Sequence, residues 1–307
     1  MKFSGLGGAL LLATLVSASA QVTVEVTQEQ DQFLQGESLP VAVRITNRSG
    51  EPLTLGSDAD WLTFSMESRD GFIVGKNSDP PVSGEFVLES SKVAIKRLDL
   101  APYFNLTHSG RYGIIANVHI RQWGKDVTSR PRYFDIIDGA KLWEQEVGVP
   151  KPAGAADPTP DVRRYVLQEA NYIKGQLRLY LRVTDGYGRP LRVLQLGPMV
   201  SFGQPEPQVD AGSHLHVLYQ FGPVAFSYTE VDSEGNLLAR HVYDYIGTRP
   251  HLKLNDDGKI TVVGGLRRLT PNDIPPSDLA SAFQPSGTNS VESPATTPPL
   301  PNKPAKP

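Results

Sequence analysis

The chain has 307 residues, no cysteine and a formal net charge of −3. This slightly acidic balance argues against nucleic acid or an anionic membrane surface as the partner. Without cysteine the chain has neither disulfide bonds nor a thiol nucleophile, so buried apolar surface has to hold the fold, and 307 residues suffice for two domains with their own cores.

Residues 1–20 have the pattern of a secretory signal peptide. Lys2 supplies a positive charge, residues 6–16 form a short apolar run, and Ala18-Ser19-Ala20 offers small residues at a cleavage site. We therefore expect cleavage before Gln21 and a periplasmic or extracellular location, with an uncleaved anchor as the alternative. No later stretch approaches the ~20 apolar residues of a transmembrane helix, so no membrane span is expected. The cysteine-free export product favours a bacterial envelope.

Residues 21–140 predict an all-β sandwich. Strand-sized apolar runs recur at short intervals between polar turns, and apolar residues alternate with period two rather than following a helical period. The candidate strands are 22–26, 39–47, 53–55, 62–67, 86–88, 92–98, 112–121 and 132–137. Such a pattern is typical of two packed antiparallel sheets.

The segment Ser109-Gly110-Arg111-Tyr112 resembles the tyrosine corner of immunoglobulin-like domains. In that motif the tyrosine hydroxyl ties an inter-sheet corner to nearby backbone. His108 stands where the family usually has Asp, and Ile114 where it often has Cys, so the resemblance implies a bacterial immunoglobulin-like domain without the bridge. Residues 36–47 are also similar to the first core strands of such exported domains.

Residues 141–160 are predicted to link two domains. Residues 142–147 suit a short helix or an edge strand, and 150–160 contain four prolines and a glycine. A surface loop of one larger fold is the alternative.

Residues 161–269 predict a second antiparallel β domain of hairpins. Three strand pairs are joined by acidic turns that end in glycine, namely 185–188, 232–235 and 255–258. These units, with Leu215-His-Val-Leu-Tyr-Gln220, are similar to segments of bacterial sialidase-like propellers. About 110 residues supply only two blades, and the Ser-x-Asp-x-Gly-x-Thr-Trp box of those enzymes is absent. We expect an open or sandwich-like domain of blade-like hairpins.

His214 and His216 are the candidate site residues. Two residues apart on a strand, they point to the same face, as paired metal ligands must. Asp210 lies just upstream and His241 lies on another predicted strand, so these residues are the alternative metal ligands. Because no spacing fixes a third ligand, the sequence predicts no metal, no cofactor and no catalytic residue.

Two further expectations follow for this region. Substitution of His214 or His216 by alanine is expected to leave no metal or catalytic phenotype and to cost only modest stability. The alternative is that the histidines face inward with hydrogen-bond partners, in which case the loss of one costs more. Glu230 and Asp232 are interpreted as solvated hairpin residues.

Residues 270–307 are predicted to form a disordered, proline-rich tail. Proline at this density removes amide donors and prevents a sheet or helix from propagating. The tail is interpreted as solvated chain, with a docking motif or a spacer as alternatives.

These observations favour an exported, non-enzymatic binding or scaffolding protein. Its partner would be a protein or carbohydrate recognised by sandwich loops and sheet edges. The alternative is a glycan-active or metal-assisted enzyme with its site at the His214/His216 face. A third possibility is a structural part of an envelope assembly tethered through the tail.

Overall fold

The computed structural model describes residues 22–151 and 160–275, and within these ranges the chain is almost wholly β-strand. The helices there are three short 3₁₀ turns, Ala101–Tyr103, Arg121–Trp123 and Ile173–Gly175. None of the described helices has the length and apolarity to cross a membrane. The predicted all-β class is confirmed. The predicted signal peptide, residues 152–159 of the predicted linker and residues 276–307 of the predicted tail lie outside the described residues.

The first half of the chain forms two facing sheets. Its strands are β1 (Val22–Thr27), β2 (Gln32–Leu34), β3 (Pro40–Asn47), β4 (Leu53–Leu55), β5 (Leu62–Ser68), β6 (Phe86–Leu88), β7 (Val93–Asp99), β8 (Gly110–Ile120), β9 (Lys125–Thr128) and β10 (Arg132–Ile137). One sheet has the order β1-β3-β7, and the other has the order β2-β10-β8-β5 with β9 on β8. All pairs are antiparallel except β2 with β10, and β4 and β6 form a separate pair.

Alternating side chains of both sheets fill the core of this sandwich. Val41, Val43 and Ile45 of β3 face it, as the period-two pattern predicts. Tyr112 is fully buried, stacks on Phe134, and its hydroxyl donates to the His108 carbonyl at 2.6 Å. The predicted bond from this tyrosine to nearby backbone is therefore present.

The second half contains two antiparallel sheets packed face to face and a small hairpin. Its strands are β11 (Ala140–Val149), β12 (Asp161–Tyr172), β13 (Gln176–Asp185), β14 (Pro190–Pro198), β15 (Glu206–Val209), β16 (Leu215–Gln220), β17 (Ala225–Val231), β18 (Leu237–Asp244), β19 (His251–Leu254), β20 (Ile260–Val263) and β21 (Leu266–Arg268). The sheets have the orders β11-β12-β13-β14 and β15-β16-β17-β18-β21, and β19 pairs with β20. The three predicted hairpins are confirmed.

Two of the sequence boundaries need correction. Residues 141–149, assigned to a linker, belong to the edge strand β11, which pairs with β12 along its length and satisfies its backbone there. Residues 270–275, assigned to the tail, stay packed on the second half. Ile274 exchanges backbone hydrogen bonds with Arg240, and Asp273 is buried where it accepts from Thr270 and Arg267.

The two halves touch through a small apolar cluster. Leu34 of the first half packs with Tyr180 and Val193 of the second. Beside them the Arg182 guanidinium donates to the Gln35 carbonyl at 2.6 Å. Burial lowers the pKa of Arg182 from its ordinary value.

Candidate functional site

Strand β16 is buried on both faces, and this decides where its histidines lie. Leu215, Val217 and Tyr219 face the core between the two sheets. Leu218, on the opposite face, packs in a second cluster with residues of β17 and of the β19–β20 hairpin. His216 shares that outer face and is only 3 % exposed. The predicted alternation is confirmed, but the hairpin covers a face that an isolated strand would leave in water.

The turn that precedes β16 fixes Asp210 and His214 in place. One carboxylate oxygen of Asp210, Oδ1, accepts from the amides of Gly212 and His214 at 2.9 and 2.8 Å. Ser213 has φ +65°, a conformation usually reserved for glycine. Its hydroxyl donates to the Gly148 carbonyl at 3.0 Å, and its own carbonyl accepts from the buried Tyr165 hydroxyl at 2.7 Å. The turn is thereby anchored to the opposing sheet.

The side chains of this turn meet those of β16 and β17 in a polar group that we call the histidine cluster, defined as Asp210, His214, His216, Tyr228 and Glu230. His214 Nδ1 lies 3.2 Å from Glu230 Oε1 and 3.8 Å from Asp210 Oδ2. One ligand atom each from Asp210, His214 and Glu230 lies within 4.8 Å of the other two. The cluster therefore presents two carboxylates and an imidazole to one point.

His216 joins the buried end of the cluster to Asp210. Its Nε2 lies 3.3 Å from Asp210 Oδ2, and its Nδ1 lies 2.8 Å from the Tyr228 hydroxyl. With Asp210 ionised and the ring neutral, Nε2 has to donate to the carboxylate. We therefore assign the proton to Nε2, so that Tyr228 donates its single hydroxyl proton to Nδ1 at 2.8 Å rather than to Glu230 Oε2 at 3.4 Å. This chain of bonds satisfies both ring nitrogens of a buried histidine.

The cluster shifts the pKa of its own groups. Burial opposes ionisation of Asp210, but hydrogen bonds from the His214 amide and the His216 side chain, together with the electrostatic attraction of the two histidines, outweigh it and lower its pKa. Burial, followed by the charge of Glu230, raises the pKa of the Tyr228 hydroxyl well above its ordinary value. Tyr228 thus stays protonated and able to donate at neutral pH.

Of the four residues considered from sequence, the structure brings three together. Asp210, His214 and His216 belong to the histidine cluster, whereas His241 lies opposite Tyr228 on β18 and stacks on its ring with centroids 5.8 Å apart. Burial, then the charge of Arg267, lowers the pKa of His241.

The prediction that Glu230 is a solvated hairpin residue is wrong. Its side chain is 25 % exposed and paired with His214. Strand register could have identified Glu230 from the sequence. If β16 and β17 form a hairpin around the turn at 221–224, Glu230 lies directly opposite His216. Asp232, in contrast, serves its turn as expected and accepts the amides of Glu234 and Asn236.

Carboxylates and histidines of the first half remain in separate pairs. Asp58 meets Arg121, and Asp79 meets Lys76. His119 Nδ1 lies 2.7 Å from Asp126 Oδ1 on the exposed β8–β9 hairpin, as an isolated pair. Among residues 22–151 and 160–275, the histidine cluster alone brings three such metal-ligating groups together.

Comparison with known proteins adds no relative: no family model, no curated protein and no solved structure matches this chain. The sheet edges and the histidine cluster are therefore the two features of the structure that bear on function. These two features point to different classes of function, binding in the first case and chemistry in the second.

Proposed function

We propose that this chain is an exported, non-enzymatic binding or scaffolding protein of the bacterial envelope. The observation that carries the proposal is strand β7, at the edge of the three-stranded sheet of the first half. It pairs with β3 along one side, and in the described part of the chain no strand pairs with its other side. Val93 and Ile95 of β7 are 42 % and 52 % exposed.

An edge of this kind can accept an extended segment of a partner. The free backbone amides and carbonyls of an edge strand hydrogen-bond an added strand, and exposed side chains at alternate positions select its sequence. Val93 and Ile95 are two residues apart and lie on one face of β7, followed by exposed Arg97. This combination suits an extended peptide with apolar residues and an acidic residue at alternating positions.

The strand order of the first half supports an immunoglobulin-like assignment of this sandwich. If β1, β3 and β7 correspond to strands A, B and E, then β5, β8 and β10 correspond to C, F and G. The Tyr112 hydroxyl bond to the His108 carbonyl at the start of β8 matches the tyrosine corner at strand F. Domains of this class commonly act as binding modules through loops and edges.

Site-specific photocrosslinking in the producing cell tests the proposal. A photoreactive residue at position 95 is expected to crosslink to a partner in the envelope fraction, and Val93→Lys is expected to weaken that crosslink. Position 73 is the matched control, because Ile73 is an exposed apolar residue outside the strands, in the segment between β5 and β6. Equal crosslinking at positions 73 and 95, or none at position 95, would contradict binding at this edge.

A second candidate function, a glycan-active or metal-assisted enzyme, is favoured by the convergence of Asp210, His214 and Glu230. A carboxylate beside a histidine is a common arrangement for acid–base work. Release of reducing ends from envelope glycans by the purified chain, lost in Glu230→Gln, would establish this function over binding.

A further inference from the structure

We propose that Asp210, His214 and Glu230 bind one divalent transition-metal ion. The inference goes beyond the binding function and does not depend on it. A tetrahedral zinc site with bonds of about 2.0–2.1 Å separates its ligand atoms by roughly 3.3 Å. His214 Nδ1 lies 3.2 Å from Glu230 Oε1 and 3.8 Å from Asp210 Oδ2, so the three atoms surround a point that an ion of this size can occupy.

The backbone orients Asp210 for this task before any ion arrives. Two turn amides hold Oδ1, which leaves Oδ2 directed at the two histidines. The turn itself is anchored through Ser213 to Gly148 and Tyr165 of the opposing sheet. A ligand held in this way loses little conformational entropy when it binds an ion.

His216 and Tyr228 form the outer shell of the site. The His216 Nε2–H donates to Asp210 Oδ2, and Tyr228 orients the ring from its other nitrogen. Hydrogen bonds from buried neighbours to ligating side chains are the rule in metal sites, because they fix the ligand and tune its basicity. His216 is therefore a positioning residue rather than a ligand.

Charge and ligand chemistry indicate which ion suits the site. In the described residues the ion pairs of Asp210 and Glu230 are made to His214 and His216 alone, and the proposed ligands are two carboxylates and one imidazole. With neutral imidazoles, a dication balances both negative charges. An imidazole nitrogen among the ligands favours zinc and related ions over calcium or magnesium.

The outer side of the site is open to solvent. The His214 side chain is 35 % exposed, whereas that of His216 beneath it is 4 % exposed. Three protein ligands with one side accessible leave a coordination position for water or for a group of a partner. Because ligation needs an unprotonated imidazole, metal binding is expected to weaken in acid.

Calorimetric titration with Zn²⁺ tests the site on the full exported chain after a chelator has been applied and dialysed away. One equivalent of Zn²⁺ is expected to bind. His214→Ala and the nearly isosteric Glu230→Gln each remove a ligand and are expected to weaken binding more than about 100-fold, while Tyr228→Phe weakens it by about 10-fold through the outer shell. Circular dichroism of each variant verifies that the sheets are retained.

His119→Ala is the matched control, since the His119–Asp126 pair offers the same side chains without a third ligand. Its zinc affinity is expected to equal that of the unchanged chain. The proposal is overturned if no Zn²⁺ binds, if folded Glu230→Gln binds as tightly as the unchanged chain, or if His119→Ala removes the binding. Crosslinking at position 95 is unaffected by these outcomes, so the two proposals can fail separately.

Discussion

Two turns of the second half share the same backbone hydrogen-bond pattern but differ in the partners of the aspartate's other carboxylate oxygen. In the turn 185–188, Asp185 Oδ1 accepts from the amides of Tyr187 and Arg189. In the turn 210–213, Asp210 Oδ1 accepts from the amides of residues two and four positions later in the same way. The other carboxylate oxygen differs: that of Asp185 meets the exposed Arg189 guanidinium at 2.7 Å, whereas that of Asp210 faces two histidines.

The comparison shows that the turn fixes the position of its aspartate. The residues of the neighbouring strand determine which groups surround the free carboxylate oxygen. In the described residues Asp185 and Arg189 form an ion pair with each other alone, while Glu230 lies opposite His216 and completes the group around Asp210. Local sequence specifies both turns, since Asp accepts turn amides in either. The candidate site at the second turn depends on Glu230, which lies on the neighbouring strand β17.

The largest expected effect within the histidine cluster is that of His216→Ala. The change empties a buried position and leaves Asp210 and Tyr228 without their partner, so we expect a loss of about 2–4 kcal/mol in unfolding free energy. This loss is larger than the modest cost in stability that the strand pattern alone predicts for His216→Ala. His214→Ala, at a half-exposed position of the same face, is expected to cost less than about 1 kcal/mol.

Urea denaturation of both variants in the presence of a chelator measures this difference. Equal losses for His214→Ala and His216→Ala would show that His216 does not have the buried bonds described here.

An intermediate effect is expected for Gly188→Ser, which gives the first turn the residue of the second. Gly188 has φ +79° with open space where a Cβ would stand, so only backbone strain opposes serine, at a cost of about 1–2 kcal/mol. Ser213→Gly, the reverse exchange, relieves strain but loses the bond to Gly148, so its net change is expected to stay within about 0.5 kcal/mol. Thermal unfolding of both variants measures these changes. If Ser213→Gly destabilised the protein as much as Gly188→Ser, relief of backbone strain would not offset the lost bond to Gly148.

The smallest effect is a pH dependence at the first turn. Burial opposes ionisation of Asp185, but hydrogen bonds from Arg189 and Tyr187 and the Arg189 charge together lower its pKa. A lowered pKa contributes stability above the unfolded value, about 3.9, and that stability is lost as pH falls through the folded value. Asp185→Asn is therefore expected to reduce the acid-side slope of stability against pH and to leave it unchanged above about pH 5. An identical slope in the variant would contradict the role of this carboxylate.

Much of the fold could be predicted from the sequence because period-two patterns and Asp/Asn–Gly turns are local signals. The hairpin around 185–188 and the buried face of β3 are examples. Residues 142–147 were left open between a short helix and an edge strand because their sequence, with Trp143 among charged residues, lacks clear alternation, and pairing with β12 orders them as part of β11. Intrinsic β-propensity at an edge strand is a weak signal, and pairing with the neighbouring strand determines the conformation.

The candidate site was predictable in part for the same reason. Asp210, His214 and His216 lie within seven residues of one another, so turn and strand geometry places them together. Glu230 joins them only through the β16–β17 register, and the outer face of β16 that carries His216 is covered at Leu218 by a hairpin some forty residues later. Neither fact is contained in the local pattern of β16.

Anomalous X-ray scattering from crystals of the zinc-treated chain is the most direct measurement of the central claim, that the histidine cluster is an ion site. A single zinc peak is expected about 2.0–2.2 Å from Asp210 Oδ2, His214 Nδ1 and Glu230 Oε1, with His216 remaining hydrogen-bonded to Asp210. A zinc peak at the His119–Asp126 pair instead, or no peak at the histidine cluster, would contradict it.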